Sequence, residues 1–173
     1  MGREAFLRTE WLLLRPYEER DKEAMVRLLC CEEIKKTFMI PDFSSRADAE
    51  KLFYRIMELS RTPGHIEYGI FLEDRLIGFL NDCGIEGKTV EMGYVIDPEY
   101  WGQGYAAEAF RAVIDELFRL GYEQVTAGYF EENPASGRVM EKCGMHKLEL
   151  VSHEYYQGRE HRTLYYGIEK TDL

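Results

Sequence analysis

The sequence predicts one α+β domain built on a mixed, mostly antiparallel sheet, and three observations carry that reading. Residues 65–96 hold three consecutive segments of alternating apolar and polar residues joined by short polar turns. A glycine turn at 102–104 launches the one long amphipathic helix that crosses over to a further strand, and two more alternating segments close the chain around Gln157-Gly158. Runs of hairpin-connected strands around a single crossover make a mixed sheet and exclude a doubly wound one. With 45% hydrophobic and 13% aromatic side chains among 173 residues, one domain over 1–173 has ample apolar surface for a core.

In chain order, residues 9–15 (TEWLLLR) form a short apolar run closed by Pro16, a strand at or near a sheet edge. Residues 20–31 put Ala24, Met25, Leu28 and Leu29 on one helical stripe, and the mixed segment 35–43 reads as a covering loop. Ser45 three residues before Asp48 is a helix start; the stripe Ala49, Leu52, Phe53, Ile56 and Met57 continues until Pro63-Gly64. Strands follow from His65, over 76–81 and over 90–96. The helix carrying Ala106, Ala109, Phe110, Val113, Ile114, Leu117 and Leu120 ends at Gly121, and 124–130 is the next strand. Asn133-Pro134 reads as an N-cap with proline at the first helical position, its helix closing at Gly144 before strands over 146–155 and 161–168. The expectation is seven strands and about four helices.

Thirty-two acidic residues against 22 basic ones give a formal charge of −10. No basic stripe is present to neutralise a phosphate backbone, so nucleic acid is excluded as a partner, whereas an acidic field suits a cationic one such as an amine. Cys30, Cys31, Cys83 and Cys143 lack metal-ligand spacing, and no metal is expected. No apolar run reaches the roughly 18 residues of a membrane span and no signal-peptide core opens the chain. The expectation is a cytoplasmic protein without a membrane partner, monomeric or homodimeric.

The chemistry concentrates in residues 91–108 (EMGYVIDPEYWGQGYAAE). A strand, a turn with two close glycines and a helix start together bring free backbone amides to one place, which favours a phosphate ligand. Gly102 to Ala107 formally match the dinucleotide fingerprint G-x-G-x-x-G/A, but five residues separate the glycines from the strand and no parallel βα units follow, so a dinucleotide-dependent oxidoreductase is set aside.

The arrangement resembles the GNAT superfamily of acetyl-CoA-dependent N-acetyltransferases. The signature [Arg/Gln]-x-x-Gly-x-[Gly/Ala] falls on Trp101-Gly102-Gln103-Gly104-Tyr105-Ala106, with Trp departing from its first position. Trp101, Tyr100 before it and Ala107-Glu108-Ala109 after it are similar to the branch that includes the ribosomal-protein N-terminal acetyltransferases. So are Leu12 to Pro16, the pattern Asn133, Ser136, Val139, Lys142, Gly144, and Arg162 to Tyr166. The resemblance implies acetyl-CoA as co-substrate. Amides of 102–107 would hold its pyrophosphate, Val95 and Ile96 would pair with pantetheine like an added strand, and Lys142 with Arg138 would meet the outer phosphate.

Acyl transfer to an amine needs a base, an oxyanion donor and a group that quiets the leaving thiolate. Glu91 is the expected base, provided burial raises its pKa, and an amide of Val95 or Ile96 the expected oxyanion donor. Where many family members place a tyrosine acid, this chain has Met140; Ser136, near the helix N-terminus capped by Asn133, takes that role. Cys143 is set aside as a nucleophile, and transfer is expected by direct attack in a ternary complex. Asp82 is a candidate to face the amine. The acceptor, a protein or peptide N-terminus or a small amine, would be walled by Phe38, Met39, Phe43, Tyr155 and Tyr156. The alternative is a catalytically silent acyl-CoA-binding regulatory module.

Overall fold

The computed structural model describes residues 2–173. Eight strands form one sheet: β1 (Leu7–Arg8), β2 (Leu12–Arg15), β3 (Glu67–Leu72), β4 (Arg75–Glu86), β5 (Thr89–Ile96), β6 (Gln124–Phe130), β7 (His146–Tyr156) and β8 (Arg159–Glu169). Their spatial order is β1-β2-β3-β4-β5-β6-β8-β7. All pairings are antiparallel except β5 with β6. The helices are α1 (Lys22–Leu29), α2 (Glu32–Lys35), α3 (Arg46–Leu59), α4 (Tyr105–Leu120) and α5 (Pro134–Lys142). The two elements beyond expectation are the two-residue β1 and the one-turn α2.

Two apolar layers sandwich the sheet. Phe110, Val113, Ile114 and Leu117 of α4 pack on Val90, Met92 and Ile96 of β5 and on Val125 and Ala127 of β6. On the opposite face, Met25 and Leu28 of α1 and Phe53 of α3 pack with Phe71, Phe79 and Val95. The helix starts follow their local chemistry. Ser45 accepts the Asp48 amide at 3.3 Å and so caps α3 as its sequence predicts, and α4 closes on Gly121 in the left-handed region (φ 101°).

What positions the site is the parallel pair. β5 and β6 share only the rungs Thr89 with Gln124, Val90 with Val125 and Glu91 with Thr126, and past Glu91 the strands part. β5 stays paired with β4 as far as Ile96, and β6 with β8 as far as Phe130. A wedge-shaped gap therefore opens inside the sheet, lined on its β5 side by backbone from Gly93 to Ile96.

Candidate active site

A cavity of about 330 Å³ fills this gap. Its walls are Gly93 to Ile96 of β5, the turn and helix start from Tyr100 to Ala107 except Gln103, and Asn133, Ser136, Arg138, Val139 and Lys142 around α5. Larger hollows of about 680 and 830 Å³ lie along residues 60–66 and between α1 and Phe43, away from the gap.

The turn is built for an anion. Gly102 (φ 75°) and Gly104 (φ 87°) hold left-handed conformations that only glycine adopts freely, and they bring the start of α4 against the cavity. The first backbone bond of the helix runs from the Glu108 amide to the Gly104 carbonyl at 3.1 Å, and no side chain caps this end. The amides of Tyr105, Ala106 and Ala107 thus have no helical carbonyl, while the helix dipole adds positive potential. Trp101 locks the turn to the strand, its Nε1 donating to the Ile96 carbonyl at 2.7 Å. Asp97, buried beneath the turn, accepts the Glu99 amide at 3.1 Å and pairs with Arg27 of α1.

On the α5 side, Asn133 occupies the N-cap position before Pro134, but its side chain makes no capping bond. The expected cap is absent, and Asn133 instead lines the cavity with Ser136. The Tyr94 hydroxyl donates to the Ser136 carbonyl at 2.9 Å, tying β5 to the first turn of α5; burial pushes the Tyr94 pKa up. Met140 is buried in the core, and burial raises the Cys143 thiol to about 11, which leaves it a poor nucleophile.

Glu91 does not line the cavity. It sits on the last rung before the gap, on the face opposite Val90 and Met92, and is half-buried. Burial first, and then the charge of Glu154, raise its pKa above the ordinary carboxylate range. The same face carries Asn81 and Gly93, which are register partners, and Gly128 and Tyr165, which are register partners across β6 and β8. Gly93 is needed here because the Phe38 ring lies where its Cβ would stand, and Gly128 because the Tyr165 ring does. Gly93, Gly128 and Phe38 also line the cavity, and the strip of this face between Glu91 and the cavity is called the trough.

Other expectations redistribute. The Tyr156 hydroxyl contacts the Phe38 and Ile40 backbone at 3.2 to 3.3 Å, so Phe38 and Tyr156 wall the trough. Met39 and Tyr155 are exposed, and Phe43 packs beside Lys35 instead. Asp82 is held by the Ile66 amide at 2.7 Å, with His65 3.6 Å away. Gln103 is exposed. Reasoning from sequence missed Glu154 and Tyr94, although Ser152, Glu154 and Tyr156 share one parity of a strand, which is the pattern of a side facing a site. Among the described residues no group of three His, Cys, Asp or Glu side chains is placed to hold a metal, and no helix is long and apolar enough to cross a membrane.

The sequence pattern of the acetyltransferase (GNAT) domain family matches residues 12–146. An uncharacterized N-acetyltransferase of Bacillus subtilis, YoaA, is 29% identical over 170 residues, covering 95% of this chain and 96% of its own. The crystal structure of a GNAT-family acetyltransferase from Bacillus anthracis superposes with a TM-score of 0.83 at 27% identity, covering 96% and 99% of the two chains. RimL, a ribosomal L7/L12 α-N-protein acetyltransferase solved with coenzyme A, shares the fold at a TM-score of 0.84 and 22% identity, covering 95% and 97%.

Proposed function

This chain belongs to the GNAT acetyltransferase family, and from that premise we propose direct acetyl transfer from acetyl-CoA to a primary amine, both substrates bound at once in the β5–β6 gap. The observation that carries this reading is the gap itself: strand backbone on one side, free helix-start amides at one end, and a trough with a raised-pKa carboxylate at the other.

Each requirement of the reaction has a candidate. The amides of 105–107 bind pyrophosphate, Lys142 and Arg138 take the outer phosphate, and the Val95 and Ile96 backbone aligns the pantetheine amides as a neighbouring strand would. Glu91 accepts the proton of the incoming ammonium. A lysine-like amine of pKa near 10.4 needs about 4.6 kcal/mol to lose that proton at pH 7, so a base with a raised pKa is useful. The thioester carbonyl oxygen takes a β5 amide as charge develops, and the departing sulfur meets Ser136 and the N-terminus of α5, with Asn133 beside them.

Two measurements test this. Acetyl-CoA should raise the melting temperature and NAD(H) should not; the reverse overturns the cofactor assignment. Release of free thiol with a panel of amines should then show turnover, and binding of acetyl-CoA with no turnover on any amine would favour the silent module.

A further inference from the structure

The trough contains charge that the proposed reaction leaves unbalanced. On the same side of the sheet Glu132 has a cationic partner, Arg159, and contacts His161. Glu91 and Glu154 have none among the described residues; both lie on the sheet face that carries Tyr165, and the charge of Glu154 adds to burial in raising the Glu91 pKa. Glu154 is positioned from below: Ser152 Oγ donates to it at 3.1 Å and is itself 2.9 Å from the Tyr165 hydroxyl.

A second, independent feature points the same way. Among the described residues two buried side-chain oxygens lack a hydrogen-bond partner, Asn81 Oδ1 and Thr163 Oγ1. Both lie on the trough side of the sheet. Asn81 stands opposite Gly93, and Thr163, 7% exposed, has its methyl 3.0 Å from where a Cβ of the cavity-lining Gly128 would be. A buried acceptor without a donor costs about 1 to 3 kcal/mol unless a ligand supplies one.

We propose that the acceptor is a short aliphatic amine bearing a second cationic group, a diamine or polyamine, with one nitrogen at Glu91 and the other at Glu154. This rests on the acetyl-transfer reading of the same site. When Glu91 takes the proton of the reacting ammonium it becomes neutral, and Glu154 remains a half-buried anion that a second ammonium neutralises. The free polar groups of the trough are carboxylates, an amide oxygen and a hydroxyl. They accept hydrogen bonds from a ligand that only donates, whereas a peptide brings carbonyls that would need donors of their own. The rings of Phe38, Tyr165 and Tyr156 offer apolar and cation-π contact to the methylene stem and its charge.

Thiol release by the full chain with acetyl-CoA, comparing 1,4-diaminobutane, n-butylamine and a neutral tripeptide with a free N-terminus, tests this. The diamine should show a kcat/KM at least about tenfold above the monoamine, beyond the statistical factor of its two equivalent amines, and the ratio should shrink in high salt. Glu154→Gln, checked for folding by its melting temperature and stabilisation by acetyl-CoA, should collapse the ratio to about the statistical factor. Equal kcat/KM for diamine and monoamine overturns the proposal, as does Glu154→Gln lowering both in proportion, or the tripeptide outperforming the diamine. Turnover of n-butylamine without diamine preference sinks the proposal alone; no turnover on any amine sinks the acetyl-transfer reading with it.

Discussion

Tyr94 of β5 donates its hydroxyl to the carbonyl of Ser136 in the first turn of α5, bridging the gap between the two halves of the sheet. That bond fixes Ser136 against the strand expected to align the thioester. Replacing Ser136 by Ala leaves the carbonyl, and hence the bridge, in place while removing the hydroxyl. The expected result is a kcat about 10²-fold lower with acetyl-CoA affinity changed less than about threefold, read by thiol release and by thermal shift. Full turnover in this variant removes Ser136 from the mechanism.

Trp101 stands where the family signature has Arg or Gln, and its indole satisfies the Ile96 carbonyl at 2.7 Å. Phenylalanine keeps the ring and loses the donor. A neutral hydrogen bond contributes about 0.5 to 1.5 kcal/mol, so Trp101→Phe should weaken acetyl-CoA binding by roughly two- to tenfold. Calorimetric titration with CoA measures this, and an unchanged affinity would show that the turn is held without the indole.

A base acts deprotonated, so kcat/KM with a fixed amine should rise with pH through the Glu91 pKa, which burial and then Glu154 place above the ordinary carboxylate range. Glu154→Gln removes only the smaller of the two causes. The acidic limb should therefore move partway back towards lower pH, and Glu91→Gln should abolish it. A limb that stays put in both variants assigns the base elsewhere.

Stability carries a separate signature. Glu67 is fully buried, and desolvation lifts its pKa from 4.5 to about 8 against the opposing hydrogen bond from Tyr17, 2.7 Å away. A carboxyl whose folded pKa exceeds its unfolded value stabilises fully below the unfolded pKa, and that contribution is lost as pH rises through the folded one. Between about pH 4.5 and 8 this one group is expected to withdraw on the order of 3 to 5 kcal/mol. Urea unfolding across that range should show the decline, and Glu67→Gln should flatten it while keeping an acceptor for Tyr17.

Much of this was legible in the sequence because the signals are local. Period-two alternation marks β3, β5, β6 and β8; the Ser45 cap and Gly121 stop mark α3 and α4. β1 has two residues and α2 four, too short for any period to register. The glycine turn was legible through its own spacing, Ser136 and Lys142 through the family resemblance, and all three border the cavity. Asn133 shows the limit of a positional rule. The N-cap preference correctly places the residue, but whether its side chain bonds its own helix or faces a ligand depends on what lies across the gap. Glu154 was invisible for a similar reason: its charge acts on Glu91 from a strand more than sixty positions away, and only the fold sets both on one face of the sheet.

The three rungs joining β5 to β6 also make a seam. On one side lie strands from the first 96 residues, on the other strands from 124 onward, so the chain is divided there into an N-terminal and a C-terminal leaf. A short ladder inside a sheet opens at low cost, and opening this seam need not unzip any other pair of strands. Whatever occupies the gap clasps the leaves together. Amide exchange in β5 from Gly93 onward should therefore register occupancy of the gap more sensitively than the global melting point does, making the cleft the molecule's own gauge of its ligand.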